Sequence, residues 1–334
     1  MSRAHSSAAP REIDGSAATP PGPGEIDFSA ATRPAPVRST FRPPRFPCVD
    51  VTAAFDGAHG RIRRSADRLA IVSRTSYVLR GTTAVLTIER PERRNAVDAD
   101  TAAELLEGFR RFEADDEARV MVLTGAGDVA FCAGADLKAL AEAGPDVSIE
   151  QIQEVADRTE GPMGFTRALA GKPTIAAISG WALAGGLELA LWCDLRIATQ
   201  SSKLGYPERR WGVPLIDGGT LRLPRIVGLG RALDLILTGR IIETDEALSW
   251  GLLTEVVGEG EHLNRAIEIA DALARFPQET MRSDRRSAIE GSTLPLAESL
   301  EFEAALGRAS IETGLRGASR FAGGEGRGGA GAGV

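Results

Sequence analysis

The sequence predicts an α/β fold in which strand and helix units come first and helices close the chain. Apolar β-rich runs such as "ARVMVLTGAG" and "KPTIAAISG" end in glycine and alternate with stretches of helical periodicity. Beyond residue 215 helical segments dominate. The 334 residues, 43% hydrophobic and 25% charged, have a globular composition and enough length for one large domain or two ordinary ones.

Residues 1–75 are rich in Pro, Ala, Ser, Gly and Arg and lack sustained apolar periodicity, so they are expected to be disordered or weakly ordered. A transit peptide competes with that view, since Arg and Ser are enriched, but early acids and prolines spoil an amphipathic helix. A natural chain that starts further in is a third reading. The core, residues 76–243, opens with "SYVLRGTTAVLTIERP", two β-rich runs joined by a hairpin turn. "DADTAAELLEGFRRFEAD" spaces Leu105, Leu106, Phe109 and Phe112 along one helical face. "VMVLTG" is a buried strand, and "FCAGADL" a turn feeding a helix over residues 135–140. A helix interrupted near Gly161 and Pro162 covers "SIEQIQEVADRTEGPMGFTRALA". "TIAAIS" is a strand, "GWALAGG" a small-residue turn, and a helix follows it. "LRIAT" and "SKLGY" are short strands. Residues 244–314 form a helical region. It begins at Thr244, where Asp245 and Glu246 put acid at the positive end of the helix dipole. "LPLAESLEFEAALGRASIETG" reads as one helical segment, and the glycine-rich residues 315–334 as a frayed tail.

A formal net charge of −7 disfavours nucleic acid and anionic membrane as partners. Cys48, Cys132 and Cys193 are scattered, odd in number and without CxxC spacing, which fits a reducing cytoplasmic setting. No apolar run approaches the ~18 to 20 residues of a membrane span. The three histidines are His5, His59 and His262, so residues 76–261 contain none. A Ser-His-Asp triad, a Cys-His pair or a histidine-ligated metal is thereby disfavoured there, and acid-base chemistry falls to carboxylates, Lys, Tyr or Cys.

Gly125, Gly127 and Ala130 formally satisfy a relaxed dinucleotide fingerprint, but no continuous helix follows, and Phe131 to Gly134 re-enters a small-residue turn. A different use suits these turns. Two helix starts reached from neighbouring strands each offer an amide N–H to one negative oxygen, the recipe for an oxyanion hole. Glu188 lies about one helical turn after Gly185 in the apolar stretch "GWALAGGLELALWCDLRIA". Walls of Leu183, Leu187 and Leu191 should raise its pKa above the ~4.3 reference and suit it to acid-base work. A glutamate near the third helical position also caps its own helix, and both readings stand. Glu208, beside Arg209 and Arg210, reads by itself as a solvated ion-pair residue. Asp194 and Asp136 read as acids binding backbone N–H groups at a strand end and a helix start, and Lys138 as a surface residue.

Over residues 77–327 the chain resembles the crotonase, or enoyl-CoA hydratase/isomerase, superfamily. The matching pieces are "IERPERRNAV", "VMVLTGAGDVAFCAGADLK", "KPTIAAISGWALAGGLELALWCDLRIA", "LGYPERRWGVPLIDGGTLRL" and "LTGRIIETDEALSWGLLTEVV". The resemblance implies a spiral of ββα units with a C-terminal helical region that builds homotrimers, commonly paired into hexamers. It implies that Ala135 and Gly185 supply the oxyanion-hole N–H groups for a CoA thioester. Ala133, Ala135, Asp136, Leu137 and Lys138 would border the CoA, with Lys138 near its phosphates, and Arg94 and Ala96 would help hold the nucleotide. Glu188 and Glu208 stand at the positions of the two hydratase glutamates, which reverses the solvated reading of Glu208. Water addition to a 2-enoyl-CoA is implied, with no metal or redox cofactor, coenzyme A being part of the substrate.

Some positions depart from the hydratase pattern. "PLIDGGT" moves Pro214 and adds Asp217, an acid reminiscent of dienoyl-CoA isomerases although one residue out of register; a surface cap is its plainer role. Ser179 stands for a common asparagine and Ala184 for a common glycine. Alternatives are an enoyl-CoA or dienoyl-CoA isomerase and, in another class, a noncatalytic or RNA-binding crotonase-like protein. The segment 149–169 is expected to shape the acyl pocket.

Overall fold

The computed structural model describes residues 73–142 and 148–325, all within one compact unit. The expectation for the N-terminal extension therefore falls almost wholly outside the described residues, as do Cys48, His5 and His59.

The chain enters through an antiparallel hairpin, β1 (Thr75–Arg80) and β2 (Thr83–Ile88), as the β-rich runs predict. A 3-10 turn at Pro91–Arg93 precedes α1 (Ala99–Ala114), which Asp98 caps by accepting the Thr101 N–H at 2.9 Å. Next come β3 (Val120–Gly125), β4 (Ala130–Cys132), α2 (Leu137–Glu142) and α3 (Ile149–Ala156). They are followed by β5 (Thr174–Ile178), β6 (Trp181–Leu183), α4 (Gly185–Trp192), β7 (Leu195–Thr199) and β8 (Lys203–Gly205). A second 3-10 turn, Pro207–Trp211, leads to α5 (Gly219–Val227), α6 (Leu229–Thr238), β9 (Ile241–Glu243), α7 (Thr244–Ser249) and β10 (Glu255–Val257). The chain closes with α8 (His262–Arg275), α9 (Gln278–Arg286), a π turn at Ser287–Gly291, α10 (Leu296–Ala309) and α11 (Ile311–Ala322).

One sheet has the order β1-β2-β3-β5-β7-β10, parallel except for the first hairpin, and the other has the order β4-β6-β8-β9. The successive pairs β3/β4, β5/β6 and β7/β8 each put one strand into each sheet, parallel to its predecessor. Each pass of the chain is thus one turn of a spiral. The central strands β2, β3 and β5 of the larger sheet are covered on both faces, which is why they read as nearly unbroken apolar runs, whereas the edge strand β1 is partly exposed. Met121 and Leu123 point into one cluster with Leu105, Phe109 and Phe112 of α1, while Val120 and Val122 point into another with Ala266 and Ala270 of α8. Phe109, Phe165 and Trp192 pack as an aromatic trio with ring centroids 4.5–5.5 Å apart.

Several elements differ from the expectation. The turn at 180–186 contains β6, because Trp181 to Leu183 pair with β4 and β8 in the second sheet. α2 starts at Leu137 and not at residue 135: Ala135 bridges to Val97, and the Asp136 N–H donates to the Val97 carbonyl at 2.9 Å, holding the chain extended. The helix from residue 149 ends at Ala156, and turns follow in which Gly161 and Gly164 take positive φ of 99° and 105°. The last helical segment breaks at Ser310 into α10 and α11, and α11 continues to Ala322, past the expected start of the frayed tail. Flanking helix formers such as Leu315 and Arg316 carry Gly314 and Gly317 inside it. No helix among the described residues is long and apolar enough to cross a membrane.

Candidate active site

β4 and β6 lie side by side, and each hands the chain to small residues followed by a helix. The two junctions touch. A Cβ at Gly134 would lie 2.9 Å from the Ala184 Cβ and 3.0 Å from the Gly185 nitrogen, and Gly134 has a φ of 94°, so glycine is required there on both counts. A side chain at Gly186 would overlap the Cys132 carbonyl. These close approaches bring the backbone after Gly134 beside the start of α4. Gly185 opens α4, so its N–H has no intrahelical acceptor. The Ala135 N–H forms no hydrogen bond among the described residues, and Ala135 is exposed.

Ala184, at the hinge between β6 and α4, has φ 53° and ψ −127°, a conformation that suits glycine and strains an L-residue. Such strain costs on the order of 1–3 kcal/mol, against about 0.4–1 kcal/mol for the extra freedom glycine gains when unfolded. Ala184→Gly is therefore expected to stabilise the protein by about 1 kcal/mol. A denaturation midpoint equal to or below that of the parent would show that the hinge is not strained.

The segment carrying Arg94 and Ala96 is stitched to the first junction. The Val97 N–H donates to the Gly134 carbonyl at 2.8 Å and the Ala133 N–H to the Arg94 carbonyl at 3.1 Å. Asn95, buried with a φ of 55°, accepts the Arg90 N–H at 3.0 Å and donates to the Ala126 and Ala130 carbonyls. Arg94, Ala96, Ala133 and Ala135 are thereby brought together, with Arg94, Leu137 and Lys138 exposed. Asp136 is occupied: its carboxylate accepts the Ala139 N–H at 3.0 Å and pairs with Arg90 at 2.9 Å. Asp194 likewise accepts the Thr174 N–H at 2.8 Å, and also pairs with Arg285.

Glu188, on α4, is 2% exposed. Its Oε1 accepts the Asp217 N–H at 3.0 Å and the Gly219 N–H at 2.8 Å. It therefore caps the start of α5 and not its own helix. Burial pushes its pKa up to about 8, with the Asp217 and Glu208 charges adding to the effect and the two N–H donors opposing it. Glu208, in the 3-10 turn Pro207–Trp211, is only 5% exposed, so it is not a solvated surface residue. Both of its carboxylate oxygens are buried without a hydrogen-bond partner among the described residues, and burial pushes its pKa up to about 7. Burial outweighs the two N–H donors on Glu188, so as pH rises Glu208 loses its proton before Glu188 does.

Asp217 is also buried and is not a surface cap. Its Oδ1 accepts the Met163 N–H at 3.0 Å and the Thr166 hydroxyl, while Arg222 donates to the Asp217 and Thr166 carbonyls. Met163 in turn presses on α4: a Cβ at Gly185 would lie 2.9 Å from its sulfur. The turns after α3, the start of α5 and Glu188 thus form one network. Met163, Thr166 and Arg222 escaped the sequence reading because they are tied across 51 to 56 residues of chain, and Tyr206 because nothing local marks it as buried. The separate cavity of about 470 Å³ between residues 169–171 and helices α9 and α10, lined by Glu279, Arg282, Arg285 and Arg286, contains none of these groups. Among the described residues no cluster of His, Cys, Asp and Glu is placed to hold a metal ion.

Residues 79–322 match the family described as enoyl-CoA hydratase/isomerase. The chain is 37% identical over 227 residues to the short-chain-enoyl-CoA hydratase of Clostridium acetobutylicum, a match spanning 67% of this chain and 84% of that one. It is 36% identical over 221 residues to the crotonyl-CoA hydratase of Syntrophomonas wolfei, spanning 66% and 83% of the two chains. The crystal structure of enoyl-CoA hydratase from Bacillus anthracis superposes with a TM-score of 0.68 at 33% identity, covering 74% of this chain and 96% of that one. With the two-sheet spiral and the whole matched region pointing the same way, the chain belongs to the enoyl-CoA hydratase/isomerase family.

Proposed function

We propose that the protein is an enoyl-CoA hydratase, adding water across the α,β double bond of a 2-enoyl-CoA thioester. The observation that carries this is the carboxylate pair: Glu188 held by two N–H groups, and Glu208 buried with both oxygens without a hydrogen-bond partner among the described residues. Burial leaves the higher pKa on Glu188, about 8 against about 7 for Glu208; the reaction draws on the less populated form in which Glu188, held by its two N–H donors, is ionised and Glu208 carries the proton. In the forward reaction ionised Glu188 accepts a proton from water as its oxygen bonds to Cβ. The π electrons move to Cα and onto the thioester oxygen, and Glu208 delivers its proton to Cα. The Ala135 and Gly185 N–H groups stabilise the enolate oxygen, each worth ~3 to 4 kcal/mol in the transition state. Ala133, Leu137, Lys138, Arg94 and Ala96 would contact the CoA moiety, and Asp136 would support that wall through Arg90. Carboxylates and backbone dipoles supply all the chemistry, with no metal or redox cofactor called for. An isomerase role for Asp217 gains no support, since its carboxylate already serves Met163 and Thr166.

The test is loss of enoyl-thioester absorbance with crotonyl-CoA and a longer 2-enoyl-CoA. Because the singly protonated pair is the active form, kcat/KM is expected to be bell-shaped, with limbs near about 7 and about 8. Below the lower limb both carboxyls are protonated and no base remains; above the upper limb both are ionised and no acid remains. No turnover of either substrate by folded, CoA-binding protein would sink the hydratase reading.

A homotrimer, or a dimer of trimers, accounts for the apolar side chains exposed on the helices, among them Leu221, Leu229, Leu237, Leu296, Ile311 and Phe321. Light scattering is expected to give the mass of three or six chains, and a monomer at micromolar concentration would count against it. A cytoplasmic location fits the CoA substrate.

A further inference from the structure

The Tyr206 hydroxyl is the buried polar group next to the carboxylate pair that the reaction above leaves without a task. Tyr206 follows β8 directly and stands two residues before Glu208; its ring is fully buried in the core. Its hydroxyl has no hydrogen-bond partner among the described residues, and neither has either oxygen of Glu208. Gly219 places it relative to Glu188. A Cβ at Gly219 would lie 2.5 Å from the Tyr206 oxygen and 3.0 Å from Glu188 Oε1, so the two oxygens flank one point, within the span of a single bridging oxygen. Buried hydroxyls in native proteins have a partner, and a phenylalanine ring would fill the same space without that requirement. A protonated phenol offers one donor, and two carboxylates beside it offer acceptors.

We propose that Tyr206 is a positioning residue of the active site, its hydroxyl donating a hydrogen bond to the Glu188–Glu208 pair through one bridging water. The assignment rests on the hydratase reading for its kinetic consequence but not for the contact itself. Burial, then the charges of Glu188 and Glu208, raise the phenol well above its ordinary value of 10, so it stays a donor throughout the working range. The other charged groups facing this cluster are Asp217, Arg222 of α5 and Arg209, which neighbours Glu208. A hydrogen bond donated to a carboxylate favours its ionised form, so removing it raises the proton affinity of the pair.

The variant is Tyr206→Phe. In hydration of crotonyl-CoA, kcat is expected to fall about tenfold with KM within about twofold, and the lower limb of the kcat/KM profile to move up by about half a pH unit or more. A packing role alone would leave the profile in place. A second measurement needs no turnover: infrared titration of the carboxylic C=O stretch in ligand-free protein, with Glu188→Gln and Glu208→Gln assigning the bands. The pair should titrate at higher pH in Tyr206→Phe than in the parent. An unchanged titration overturns the proposal even if the enzyme hydrates enoyl-CoA, whereas a shifted titration in a protein that hydrates nothing upholds the contact and removes only the hydratase reading.

Discussion

Glu208→Gln is expected to lower kcat for hydration of crotonyl-CoA by roughly 10²–10⁴-fold, the usual contribution of a positioned acid or base, while the protein stays folded. Glutamine keeps the size of the side chain but carries no acidic proton for Cα. Stability should move the other way. Burial raises the folded-state pKa of Glu208 to about 7, above its unfolded value, so the neutral form is favoured in the fold. The wild-type penalty is absent below the unfolded pKa of ~4.3, grows as pH rises and is complete above the folded value. The variant never ionises at this position. Urea midpoints at pH 5 and pH 8 should therefore show glutamine gaining on glutamate as pH rises, by an amount on the order of 2–3 kcal/mol. A variant retaining kcat within threefold of wild type would remove Glu208 from the proton-transfer step.

What the sequence made legible was local. The alternation of Val120 through Leu123 and the spacing of Leu105, Phe109 and Phe112 follow from strand and helix periods, and these residues fill the two clusters flanking the larger sheet. A lone glutamate in the apolar run from residue 180 to 198 signalled that something nearby must satisfy it. Its partners were not legible, because the Asp217 and Gly219 N–H groups lie 29 and 31 residues further on and are delivered by the start of a different helix. Asp217 reaches back 54 residues to Met163, a tie that no periodicity encodes. Glu208 looked solvated because Arg209 and Arg210 flank it, yet the 3-10 turn sends its carboxylate inward. The helix limits at 137, 156 and 310 were misjudged where a bridge to Val97, two left-handed glycines and a kink override propensity.

In the proposed reaction Glu188 has two duties, and two substitutions separate them. Glu188→Gln should keep the cap on α5, since an amide oxygen accepts the Asp217 and Gly219 N–H groups as a carboxylate oxygen does. It removes the proposed base that takes the proton from water, so kcat is expected to drop roughly 10²–10⁴-fold with no loss of stability near pH 6, where the raised pKa of Glu188 already favours a side chain that does not ionise. Glu188→Ala should lose the same activity and also leave two buried donors without an acceptor, each costing about 1–3 kcal/mol, in addition to the cavity left by the missing side chain. The lost cap also loosens the start of α5, where Arg222 joins the Asp217 and Thr166 carbonyls, and through Met163 the backbone at Gly185. Kinetics and denaturation on both variants decide the matter. Near wild-type turnover in Glu188→Gln, alongside a destabilised and inactive Glu188→Ala, would make Glu188 a structural cap and leave the activation of water to another group; loss of turnover in both, with only the alanine destabilised, makes it the base.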